Sequence, residues 1–93
     1  MTNYEFKDRE NNTYVRVTYR YAHKLYYSGH DIVLCPSNLR PFSMFNPQVI
    51  INDMCDKTID FDTLVERFKI YNCTDRYTGR NVYYYVRKEL IND

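Results

Sequence analysis

The sequence predicts an α+β domain: a small antiparallel sheet of about four strands with two helices on one face, in the order β-α-β-β-α-β. Three observations carry that expectation. Short β-branched and aromatic runs alternate with stripes of helical period. Both helical stripes open on a capping residue, and the first closes on a glycine. The chain has 93 residues, of which 44% are hydrophobic, enough for one core and one domain spanning 1–93.

Residues 1–12 (MTNYEFKDRENN) are polar and charged and read as a loose N-terminal arm. Tyr14–Thr18 (YVRVT) alternates as a strand, with Val15 and Val17 on one side and Tyr14 and Arg16 on the other. Thr18 is placed to cap a short helix. Its apolar residues Ala22, Leu25 and Tyr26 recur at helical spacing, and Gly29 stands where a left-handed terminus belongs. Asp31–Cys35 (DIVLC) is a second strand, stopped by Pro36.

The stretch PSNLRPFSMFNP holds all three prolines and cannot be a regular helix or central strand. Its apolar residues, Leu39, Phe42, Met44 and Phe45, predict a loop that folds back on the core or forms a binding lip. Val49–Ile51 is a short third strand. Asp60 then caps a second helix with the stripe Phe61, Leu64, Val65, Phe68 and Tyr71, ending near Asn72-Cys73. Thr74–Asn81 is a polar turn around Gly79. Val82–Val86 (VYYYV) is the last strand, followed by a charged tail. The element order is compatible with a ferredoxin-like sandwich; a more irregular, strongly curved sheet is the alternative.

Composition narrows the function. Thirteen Lys and Arg face twelve Asp and Glu, a net charge of +1. That balance argues against general nucleic-acid binding, which calls for a basic excess, and equally against an acidic mimic of DNA. Eleven tyrosines, five phenylalanines and no tryptophan suit an interface, because the tyrosine ring is apolar and its tip polar; tyrosine also simply favours strands. With no apolar leader or membrane-length run, the expectation is a cytoplasmic protein. Cys35, Cys55 and Cys73 lack paired spacing and read as reduced thiols.

No catalytic motif is present, neither a nucleophile elbow nor a phosphate loop nor a zinc-protease helix, and the expectation is a non-enzyme without cofactor or metal. A Cys35–His30 nucleophile and base is the one catalytic pairing conceivable. A Cys₃His zinc site lacks the closely spaced ligands that nucleate one. An RNA recognition motif is disfavoured because its third strand carries stacking aromatics, whereas PQVIIN has none.

Binding is the remaining class. If Val15, Val17, Val82, Tyr84 and Val86 face the helices, then Tyr14, Arg16, Tyr83 and Tyr85 project from the opposite sheet face. The proline-rich loop would add Arg40, Phe42 and Phe45. The polar turn would add Arg76, Tyr77 and Arg80. Tyrosine and arginine are typical interface anchors, and these ten residues form the candidate contact surface, for a partner protein or for a second copy of the chain.

Two segments, AHKLYYSGHDIVLCPSNLRP and FDTLVERFKIYNCTDRYTGRNVYYYV, together about half of the chain, resemble small proteins of phages and mobile elements of Gram-positive bacteria. The resemblance implies a phage-borne anti-defence protein of the anti-CRISPR kind. Such a protein would be single-domain and non-enzymatic, would act in the host cytoplasm, and would dock on a CRISPR effector nuclease. Two alternatives stay open: an oligomeric sponge for a nucleotide signalling molecule, with Arg40, Arg76 or Arg80 on the phosphates, and an RNA-binding or structural phage protein.

Overall fold

The computed structural model describes residues 5–8, 10–39, 49–51 and 59–91. Its elements are β1 (Glu5–Lys7), β2 (Thr13–Val17), α1 (Tyr19–Tyr27), β3 (Ile32–Pro36), β4 (Val49–Ile51), α2 (Phe61–Asn72), β5 (Val82–Arg87) and a closing 3₁₀ turn, Lys88–Leu90. The strands form one five-stranded sheet in the order β1-β2-β5-β3-β4. Every neighbouring pair is antiparallel.

The α+β expectation holds, with one strand more. Residues 5–7, inside the segment expected as a loose arm, pair with β2, Phe6 opposite Tyr14. The connection is tied by Asp8, whose Oδ1 accepts the backbone N–H of Glu10 and of Asn12, both at 2.9 Å. Asn11 takes a positive φ of 66°, a conformation asparagine tolerates. Arg87 Nη2 then donates to Asn12 Oδ1 at 3.0 Å, pinning the turn to β5.

The remaining elements interlock. The crossover β2-α1-β3 brackets β5, and the crossover β4-α2-β5 brackets β3. In a ferredoxin-like sheet the first and third strands of the β-α-β-β-α-β order stand in the middle. Here the second and fourth, β3 and β5, do. The sheet is therefore a related but different arrangement.

Local chemistry explains both helices. Thr18 caps α1, its hydroxyl accepting the N–H of Tyr21 at 3.2 Å. At the far end Gly29, with φ 91°, donates to Tyr26 O while His30 donates to Leu25 O, the paired bonds of a Schellman terminus. Asp60 caps α2, accepting from the N–H of Thr63 at 2.8 Å. The N–H of Phe61, which has no partner inside its own helix, donates to the Tyr27 hydroxyl at 3.0 Å. The two helices are thus joined through a phenol.

One core lies between helices and sheet. Ala22, Leu25 and Tyr26 of α1 and Phe61, Val65 and Phe68 of α2 meet Val15, Ile32, Leu34, Val82 and Val86. Val17 and Tyr84 pack against its margin. A smaller core lies on the opposite face: Tyr14, Val33, Cys35 and Tyr85, with Phe6, Leu39 and Tyr83 around them. β3 is buried along its whole length, as expected of a strand covered on both faces. No helix among the described residues is long and apolar enough to cross a membrane.

Tyr71 departs from the expected stripe. It is 79% exposed, because Phe61, Val65, Phe68 and Asn72 mark the inward line of α2 and Tyr71 falls to one side of it at about 100° per residue. Asn72 instead turns back, its Nδ2 donating to Phe68 O at 3.2 Å.

Gly79 gives a test of the turn before β5. Its φ is 85°, and a Cβ there would meet Ser37 Oγ at 2.2 Å and Asn38 N at 3.0 Å. Gly79→Ala should cost about 1–3 kcal/mol, read as a lower denaturant midpoint in equilibrium unfolding, whereas Gly29→Ala, where a Cβ meets nothing, should cost less.

Candidate interaction surface

The register of β5 organises one end of the sheet. Pro36 lies opposite Val82 and has no N–H, so that pair is a non-hydrogen-bonded one. Ser37 N–H donates to Asn81 O at 2.9 Å, which sets the phase. Residues 83 and 85 therefore bond toward β3, and residues 82, 84 and 86 toward β2. But β2 ends at Val17, opposite Tyr84, and the chain turns into α1. The N–H and carbonyl of Val82 consequently point into the space that β2 has left.

That space is an open hollow of about 320 Å³, lined by Arg16, Val17, Thr18 and Tyr19 on one side and Asn81–Tyr84 on the other, with Lys69 of α2 over it. Arg16 lies diagonally across from Tyr83, its guanidinium carbon 3.5 Å from the ring centroid. A cation over a ring face is attracted by about 0.5–1 kcal/mol where exposed, and the stack also holds the planar guanidinium in place. Tyr19 donates its hydroxyl to Asp62. That bond, with some burial, pushes the Tyr19 phenol up to about 12. Lys69 pairs with Glu66 at 3.7 Å.

Beside the hollow, the turn 74–81 is held from within and from without. Thr78 N–H donates to Asp75 Oδ1 at 3.0 Å, and Gly79 N–H to Asp75 O at 2.9 Å. From outside, Asn38 donates its backbone N–H to Thr78 O and its Nδ2 to Arg76 O at 2.8 Å. On this fixed turn Arg76 and Arg80 are exposed, and Tyr77 is 77% exposed.

The structure sorts the sequence-derived candidates. The predicted alternation is correct: Tyr14, Tyr83 and Tyr85 lie on the face away from the helices. Two of them are nevertheless no contact surface. Tyr14 is 4% exposed and Tyr85 2%, with Phe6, Leu39 and Tyr83 packed around their cluster and the Phe6 ring edge-on to Tyr85, centroids 5.5 Å apart. Arg16 and Tyr83 remain half-exposed and meet at the hollow. Arg76, Tyr77 and Arg80 are exposed beside them. Arg40, Phe42 and Phe45 lie outside the described residues.

Residues that sequence reasoning missed are Lys69, Asn81 and the pair Thr18–Tyr19, which line the hollow, and the exposed Ile70 and Tyr71 on the last turn of α2. A Thr-Tyr dipeptide at the strand-to-helix junction was the one sequence signal available for them.

The Cys35–His30 pairing loses its nucleophile. Cys35 is fully buried, its thiol contacts Leu39 O at 3.4 Å, and burial, reinforced by Cys73, pushes it up to about 12. Cys73 is also buried and free; Cys55 lies outside the described residues. Among the described residues no three His, Cys, Asp or Glu side chains are grouped to hold a metal ion. Comparison with protein-family models, with curated proteins and with solved structures finds no match.

Two measurements follow from these groups. Peptide mapping after maleimide treatment of the native protein should find Cys35 and Cys73 unmodified, and both should label in denaturant; native labelling of Cys35 would contradict its burial. The Asp75 carboxyl is held below its ordinary 3.8, chiefly by the Thr78 N–H. Its stabilising effect is therefore complete above 3.8 and is lost as pH falls through the lowered value. Between neutral pH and about pH 3, the drop in melting temperature should be smaller for Asp75→Asn than for the parent chain.

Proposed function

We propose that the chain is a non-enzymatic binding protein that docks on a protein partner with the Arg–Tyr end of its sheet and the turn beside it. The observation that carries this reading is Tyr77: a large aromatic side chain, 77% exposed, on a turn fixed by the Asn38 and Asp75 bonds. A turn whose backbone is already fixed loses little freedom on binding, and tyrosine and arginine concentrate binding energy at interfaces. Arg76 and Arg80 flank it, and the Arg16–Tyr83 stack stands on the strand that the turn feeds. A net charge of +1 favours docking by shape and anchors over attraction by charge alone.

The two segments that resemble phage and mobile-element proteins make a CRISPR effector nuclease of a Gram-positive host the first partner to test, in an anti-defence role. The purified chain should co-elute with the guide-loaded nuclease and suppress target cleavage. Replacing Arg76 and Tyr77 together by alanine should weaken the complex by about 2 kcal/mol or more. A complex whose affinity the double variant leaves unchanged would remove this surface from the reading. Absence of both complex and inhibition would remove the partner class. Light scattering of the chain alone distinguishes a second copy as the occupant, since self-association would appear without any added protein.

A further inference from the structure

We infer that the hollow where β2 breaks away from β5 is a binding site for a small phosphate ester with a flat ring, the size of a mononucleotide. This site adjoins the Tyr77 turn and shares Arg16 and Tyr83 with the proposed docking surface, but the inference does not depend on protein docking.

The geometry supplies each part of such a ligand with a partner. Arg16 and Lys69 both line the opening, one from the sheet and one from α2. Guanidinium and ammonium groups are the side chains that hold phosphate oxygens most strongly. The β5 register adds the Val82 N–H, aimed into the hollow where no β2 residue answers it. A main-chain N–H left unanswered at a sheet break costs free energy unless water or a ligand takes it, and a phosphate oxygen would take it. Asn81 offers a further amide at the rim. On the helix side the lining includes Tyr19 and Tyr84, their ring centroids 6.0 Å apart, whereas Tyr83 lies toward the other face with the Arg16 guanidinium over its ring. Tyr19 and Tyr84 give a planar base aromatic surface to pack against, as bases do on aromatic side chains in nucleic-acid sites.

Charge and size agree with this assignment. Asp62 is engaged by the Tyr19 hydroxyl, and Lys69 would exchange its 3.7 Å contact with Glu66 for the phosphate. The first turn of α1, which starts at the hollow, has no acidic residue. A volume of about 320 Å³ lies at the lower end of the ~300–1,000 Å³ usual for ligand sites, room for a single nucleotide.

The test is titration of the full chain with AMP, adenosine and inorganic phosphate, followed by calorimetry and by amide and aromatic NMR shifts. AMP should bind at one site per chain and more tightly than either of the others, shifting Val82 and Tyr84. Lys69→Ala and Arg16→Gln should each weaken AMP by about tenfold or more, with circular dichroism confirming that both variants are folded. The Arg76, Tyr77 double variant should bind AMP as the parent does, so loss of the docking reading would leave this one standing. No AMP binding at millimolar concentration overturns the inference. So does adenosine or phosphate binding as tightly as AMP, or AMP affinity that neither Lys69→Ala nor Arg16→Gln changes.

Discussion

Insertion of β5 between β2 and β3 is the constraint on which the rest of the molecule depends. Two crossovers leave a gap in the sheet that only the last strand fills, and every residue of VYYYV then answers to one of two cores. Val82, Tyr84 and Val86 face the helices, whereas Tyr83 and Tyr85 face the other side. Because the side-chain period is two, a slip of one position would exchange the faces and set phenols against α1 and α2. Tyr84 shows that a tyrosine can serve the helix side only at its edge. It sits half-buried beside Phe61 and Tyr19, with ring centroids about 6.0 Å away from each.

The same insertion creates the asymmetry between the two ends of the sheet. At one end β2 runs on from β1 through a tight turn, and the aromatic residues behind it are closed over by Phe6. At the other end β2 has already become α1 while β5 still pairs with β3. The result is a break bordered by a cation–ring stack, a helix start and an overhanging lysine. Chemistry concentrates at this end because here backbone groups, rings and charges are not all consumed by the fold.

Legibility in the sequence followed the range of the signal. Caps are local, and Thr18, Gly29 and Asp60 were readable because each acts within one turn of its own helix. Alternation is nearly local, so the faces of Tyr14, Arg16, Tyr83 and Tyr85 were readable too. Their exposure was not, since it depends on Phe6, a residue in a three-residue edge strand with charged neighbours that give no strand pattern. Tyr71 failed for a related reason: periodicity extends a stripe, but Asn72 occupies the inward line on the last turn. The hollow was invisible because it arises from where β2 stops relative to β5, a pairing between residues far apart in sequence. The element order was legible except for β1; the strand order was not legible, since nothing in the order says which strand takes the middle.

A middle strand that lies at residues 82–87 also sets the timing of folding. The ribosome delivers the chain from its N-terminus, so β1, β2, α1, β3, β4 and α2 all emerge before the piece that joins the two halves of the sheet. Until then β2 and β3 each show an unmatched edge, and the tyrosine-rich faces above and below them stand in water. Closure is a single long-range event that waits for the last strand, of the kind that is slow because the loop it closes is long. The nascent chain spends that interval exposed to wrong edge pairing.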